Sequence, residues 1–154
     1  MPETKKGIIT YCSKIKFLIG QVYNIFITDE RLIFSYLTKD AKKETERRLN
    51  EKVKGKSFKE RLEIISHHTY EIPEKYETMS PDEILAEHPR NHAISLNEIL
   101  EVTIKIPMTK DEKGWMKSGE FHVKTQHEKF KLSPVTESAM QLFKSVLKER
   151  AKFK

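Results

Sequence analysis

Six histidines and one cysteine are the side chains in this 154-residue sequence with the widest chemical reach. His67 and His68 are adjacent, so on a helix or a strand their rings point apart and chelate poorly. His88 and His92 have the four-residue spacing of one helix face, but Pro89 stands between them and breaks that face. His122 and His127 flank a predicted hairpin, with Glu120 and Glu128 as the nearby carboxylates, and read as surface residues. Cys12 stands alone, so it can form no disulfide within the chain, excludes a zinc site built on thiolates, and has no recognisable partner base for nucleophilic catalysis. The few glycines build no phosphate-cradling loop. The chain therefore reads as a non-enzyme, with no cofactor, no metal and no small-molecule substrate expected.

Charge is the stronger signal, and it comes in blocks. Between Lys39 and Arg61 ten basic residues face five acids, whereas between Thr69 and Glu101 eight acids face two bases. The last eleven residues are basic again, with five bases and one acid. The basic block supplies the candidate binding residues Lys42, Lys43, Arg47, Arg48 and Lys52. These could pair with the acidic stretch from Glu71 to Glu87, meet anionic lipid head groups, or meet phosphates of a nucleic acid. No recognition helix and no stacking aromatics accompany them, which disfavours nucleic acid. The opposed blocks favour a protein partner or a homo-oligomer through electrostatic complementarity. Trp115, beside Met116 and Met108 in a predicted loop, is the candidate aromatic anchor for such a contact.

Several elements must position these groups. The composition, 37% hydrophobic and 34% charged, suits one globular domain with a heavily charged surface. No apolar run approaches the roughly 20 residues of a membrane-spanning helix, and the segment Gly7–Cys12 is too short for a signal-peptide core, so a soluble protein in the reducing cytoplasm is expected. Residues 15–19 and 22–28 read as strands punctuated by Gly20 and Gln21, and Thr28-Asp29-Glu30 turns the chain into a third strand, Arg31–Leu37. Ile99–Ile106 alternates apolar and polar residues, as a half-buried strand does. Residues 120–125 and 129–132 form a second hairpin after a loop from Pro107 to Gly119.

Helices follow from caps and spacing. Ser133 and Pro134 suit the N-cap and first position of a helix continuing to Phe153, with Ala139, Leu142, Phe143, Val146 and Leu147 as its apolar stripe. Lys39–Val53 has helical propensity with little amphipathicity. Gly55 breaks it, Ser57–Glu60 resembles a capping box, and Ser80-Pro81-Asp82-Glu83 opens another short helix. Together these make a helical insertion over about residues 39–93.

The phrase Ile27-Thr28-Asp29-Glu30-Arg31-Leu32-Ile33-Phe34, the later Ile94-Ser95-Leu96-Asn97-Glu98-Ile99, the Phe-Val and Phe-Leu hairpin, and a terminal amphipathic helix come in the order seen in prokaryotic PH-like and GRAM-like domains. The chain resembles that family over residues 15–38 and 94–153. The resemblance implies an α+β, mainly β fold: a PH-like antiparallel β-barrel capped by its C-terminal helix, with the helical insertion between strands. It also implies a binding or scaffold role, for which the expectation is a protein partner or self-assembly. The alternative is a peripheral membrane module using the basic inserted helix. From Ser13 to Gln21 the only bases are Lys14 and Lys16, so the sequence holds no phosphoinositide-type basic motif between the first two strands.

Overall fold

A computed structural model describes residues 3–17, 19–61, 73–105, 119–135, 137–148 and 152–153. Strands β1 (Lys5–Lys16), β2 (Ile19–Thr28) and β3 (Arg31–Tyr36) lead into helices α1 (Lys39–Val53), α2 (Lys75–Thr78) and α3 (Pro81–Ala86). Strand β4 (His92–Ser95), a 3-10 turn at Leu96–Glu98 and strands β5 (Ile99–Lys105), β6 (Gly119–Thr125) and β7 (Lys129–Val135) follow. Helix α4 (Glu137–Leu147) and the short β8 (Lys152–Phe153) close the described order. The strands form one curled sheet, ordered β4-β3-β2-β1-β7-β6-β5-β8, antiparallel except where β8 joins β5 in parallel. The architecture is a mainly β half-barrel with several helices. Among the described residues no helix is long and apolar enough to cross a membrane.

The concave face holds the main core. Ile25, Ile27, Leu32, Phe34, Val102, Phe121 and Leu132 are buried there, and α4 lies across them through Ala139, Met140, Phe143 and Leu147. Phe121 and Phe143 meet at 4.8 Å between ring centroids. The spacing that reads as one apolar stripe in the sequence does face the core, although the helix is displaced from its predicted start. Ser133 and Pro134 belong to β7, not to a cap: Ser133 pairs with Ser13 of β1, and Val135 pairs with Gly119 of β6. Cross-strand pairing outweighs the local capping preference, and the helix begins at Glu137. It ends at Leu147, well before Phe153, which pairs with Val102.

Tyr23–Thr28 of β2 and Leu32–Ser35 of β3 are buried on both faces, which explains the nearly unbroken apolar sequence there. Their convex side carries Phe26 and Ile33, over which α3 inserts Ile84 to make a second small core. Ser80 accepts from the Glu83 amide, and the Glu83 carboxylate accepts from the Ser80 amide, so the predicted cap of α3 is present in full. Polar staples hold this helical layer to the sheet. The Lys5 ammonium donates to the carbonyls of Tyr76 (2.7 Å) and Met79 (2.9 Å). Arg31 bridges Glu3 (2.9 Å) and Asp82 (2.6 Å). Asn91 donates to the Ile84 carbonyl (2.8 Å) and accepts from the Tyr36 amide (2.7 Å).

The first turn differs from the sequence reading. Strand β1 starts at Lys5 and runs to Lys16, where it pairs with Ile19, so Gly20 and Gln21 lie inside β2 opposite Ile15 and Lys14. The chain turns at Phe17, whose φ of 57° is left-handed.

Candidate functional site

Along the basic helix α1 cations and anions are interleaved. Thr38 caps it by accepting from the Ala41 amide, and Gly55, at φ 79°, follows its end as the sequence predicts. With about 100° per residue, Lys43 and Arg47 lie on one side, Arg48 and Lys52 on another, and Lys42 apart from both. Arg47 is bound to Glu44 (2.7 Å) and Glu51 (2.6 Å), and Arg48 to Glu44 (3.1 Å). Hydrogen bonds from the two arginines hold the Glu44 carboxyl well below the usual range, at about 2. Both arginines thus pair with acids of their own helix rather than through the expected contact with Glu71 to Glu87. Lys43 and Lys52 are exposed and Lys42 is half-buried. Trp115, the predicted aromatic anchor, lies outside the described residues, as do His67 and His68.

The first helical turns of α1, with α2 and the end of β3, enclose a cleft of about 290 Å³ lined by Asn24, Tyr36, Glu44, Arg48, Tyr76 and Glu87. Its carboxylates are already engaged: Glu44 as above, Glu87 by Lys75 (2.6 Å) and by the Tyr76 hydroxyl. Burial, reinforced by Glu87, pushes the Tyr76 phenol up to about 12, out of range for proton transfer near neutrality. Cys12 is likewise withdrawn, since complete burial raises its thiol to about 12. Among the described residues no group of three His, Cys, Asp or Glu side chains is placed to hold a metal ion.

The opposite end of the sheet carries the feature that sequence reading treated only as strand and punctuation. Phe17 is 96% exposed and Ile19 74% exposed at the tip of the β1–β2 hairpin. Apolar side chains of this size gain nothing from water, and Phe17 adds the cost of a positive φ without glycine's freedom. Beside the tip, the convex face of β1, β7, β6 and β5 has no helix over it among the described residues and forms an open groove of about 550 Å³. Phe17, Ile15, Lys124, Lys129, Lys131 and His122 line it. The β6–β7 turn lies at the same end, because Ile15 pairs with Lys131 and the two strands run antiparallel. Lys16 is tied to Glu128 of that turn at 3.0 Å.

Directly behind the tip, on the concave side, sits a buried lysine. The Lys14 side chain is only 9% exposed. Its ammonium lies 2.9 Å from His92 Nε2, 3.1 Å from Glu128 Oε1, and 4.8 and 4.7 Å from the ring centroids of Phe34 and Phe130. An ammonium has no lone pair, so it donates to His92 Nε2; the histidine proton then sits on Nδ1, which faces the Arg90 carbonyl at 3.1 Å. The imidazole stacks on Phe34 at 4.7 Å, with Tyr23 edge-on at 5.3 Å. Burial lowers the Lys14 pKa against the opposing pull of Glu128, and burial lowers that of His92 too. The signal for this box in the sequence was Lys14 two residues after Cys12, on the inward side of the same strand.

Among the described residues, His88 and His122 lie apart from this box. His88 lies tilted against Tyr36 at 4.9 Å and accepts from the Arg90 amide, so the His88/His92 spacing brings no shared ligand site. His122 meets Glu120 at 2.8 Å on the convex face. No family model matches the chain, and no curated protein matches it either.

Proposed function

We propose that the chain is a non-enzymatic binding domain of PH-like build that docks on an anionic membrane surface through the β1–β2 hairpin. The exposed pair Phe17 and Ile19 carries this reading. Moving such a side chain fully out of water contributes about 1.5–3 kcal/mol, and each lysine brought near an anionic leaflet adds about 1 kcal/mol. Two apolar anchors with Lys124 and Lys129 beside them, and Lys131 close by at 3.7 Å from Glu120, suit reversible, salt-sensitive binding, and a membrane-peripheral place in the cytoplasm goes with it. The bent antiparallel sheet with its terminal helix across the core supports the PH-like part. The inserted helix α1 is the weaker docking surface, since its arginines are engaged by its own glutamates.

Sedimentation with vesicles of phosphatidylcholine alone or mixed with phosphatidylserine, at low and physiological salt, tests the proposal. Pelleting should require the anionic lipid, weaken with salt and vanish in Phe17→Ser/Ile19→Ser. No pelleting at low salt overturns it.

Self-assembly is the second reading, and the sheet margin favours it. Among the described residues, strand β4 has a ladder partner on one side only, β3, and open edges are templates for another chain. A light-scattering mass that stays monomeric at high concentration removes this reading.

A further inference from the structure

We propose that Lys14, His92 and Glu128 form an acid-released latch that ties edge strand β4 to β1 and to the β6–β7 turn. Strand β4 shares a ladder with neither, so the link crosses the mouth of the half-barrel through side chains. The groups facing His92 come from every surrounding element: Lys14 from β1, Tyr23 from β2, Phe34 from β3, the Arg90 carbonyl from the preceding turn, and Glu128 near Lys14 from the β6–β7 turn. Tyr36, with the Arg90 guanidinium at 5.1 Å from its ring, stands beside Tyr23.

The contact holds only while His92 is neutral, because Nε2 must accept from Lys14. A proton taken from solvent at Nε2 removes the acceptor and sets a second cation about 3 Å from an ammonium that has little water around it. Glu128 can balance one of these charges, and its second oxygen is already bound to Lys16. The strain then falls on the weakest attachment. Among the described residues, strand β4 is four residues long with one ladder, whereas β1 is paired on both sides. Acid therefore frees β4 from the box while β1, β2 and β7 keep their pairing. The latch does not depend on the membrane reading.

Amide hydrogen exchange on the whole chain, corrected for intrinsic rates, tests it between pH 7.5 and 5.5. Protection of the β4 amides should fall about tenfold relative to those of β1 and β2, and His92→Phe, which keeps the ring stack but accepts no hydrogen bond, should give β4 protection independent of pH in this range. Unchanged relative protection in the wild type overturns the latch. Should His92→Phe fail to fold, nitrogen-15 spectra of wild-type His92 decide alone. A neutral form protonated on Nδ1 and a pKa below that of a free histidine support the proposal; an Nε2-protonated form or an ordinary pKa overturns it.

Discussion

Met140 of α4 stands directly on Gly119 of β6. A β-carbon built on Gly119 would lie 2.4 Å from Met140 Cε and 2.7 Å from the carbonyl oxygen of Lys105. The methionine tip can swing aside, but the backbone carbonyl cannot without breaking the β5–β6 register. Gly119→Ala should therefore cost about 1–3 kcal/mol as an overpacked site. Chemical denaturation should find it less stable than Gly7→Ala, where the obstructing atom is the flexible end of Leu142.

Ile84 fixes the helical layer to the convex side of β2 and β3. It is fully buried against Phe26 and Ile33. Ile84→Ala should lower stability by about 2–5 kcal/mol. Limited proteolysis should then cut first around α2 and α3.

Glu128 is the counter-charge of a buried cation. Burial alone would raise its pKa, but hydrogen bonds from Lys16 and Lys14 bring it below the ordinary value. A carboxyl depressed in the folded state stabilises above its unfolded pKa, about 4.3, and that stability is lost as pH falls through the folded value. Glu128→Gln should flatten this acid limb in thermal melts across pH 2 to 6. At pH 7 it should cost about 2–4 kcal/mol, because it leaves Lys14 buried without a counter-charge, and the double variant Lys14→Met/Glu128→Gln should recover much of the loss.

Cys12 should be inert. With its thiol raised to about 12 and no exposure, alkylation by iodoacetamide at pH 7.5 should proceed at the rate of unfolding. Reaction in native buffer as fast as in denaturant would contradict the burial.

The hairpin tip should be neutral for folding. Phe17→Ser and Ile19→Ser remove side chains that are mostly in water, so melting temperature should change by no more than the equivalent of about 0.5 kcal/mol. This separates a docking surface from a structural one.

Much of the sheet was legible because its local signals agree. Thr28-Asp29-Glu30 turns β2 into β3, where the Thr28 hydroxyl accepts from the Glu30 and Arg31 amides (3.1 and 2.9 Å), and the strict alternation of β6 survives as buried Phe121, Val123 and Thr125. Strand β1 hid because register shifts between Lys5 and Gly7 and between Ile9 and Cys12 break its two-residue period, and because Lys14 points inward. Strand β4 is too short to show a period. Ser133-Pro134 misled for the opposite reason: a strong local helix signal was overridden by pairing with Ser13. The exposed tip was missed because Phe17 and Ile19 look like core residues until the turn at Phe17 is known, whereas in α1 the structure adds Arg47 to the partners of Glu44 beside Arg48.

Strand β1 is the seam of the molecule, joined to β2 along most of its length and to β7 through Ser13, Lys14 and Ile15. A chain emerging from the ribosome can zip β1 to β2 early, yet the other margin of β1 must wait for the C-terminal hairpin, across a long sequence interval that makes closure slow. Until then the nascent sheet carries an open apolar border. The last hairpin thus acts as the chain's own guard against strand exchange, and a fragment ending before Lys129 should precipitate where the whole chain stays dispersed.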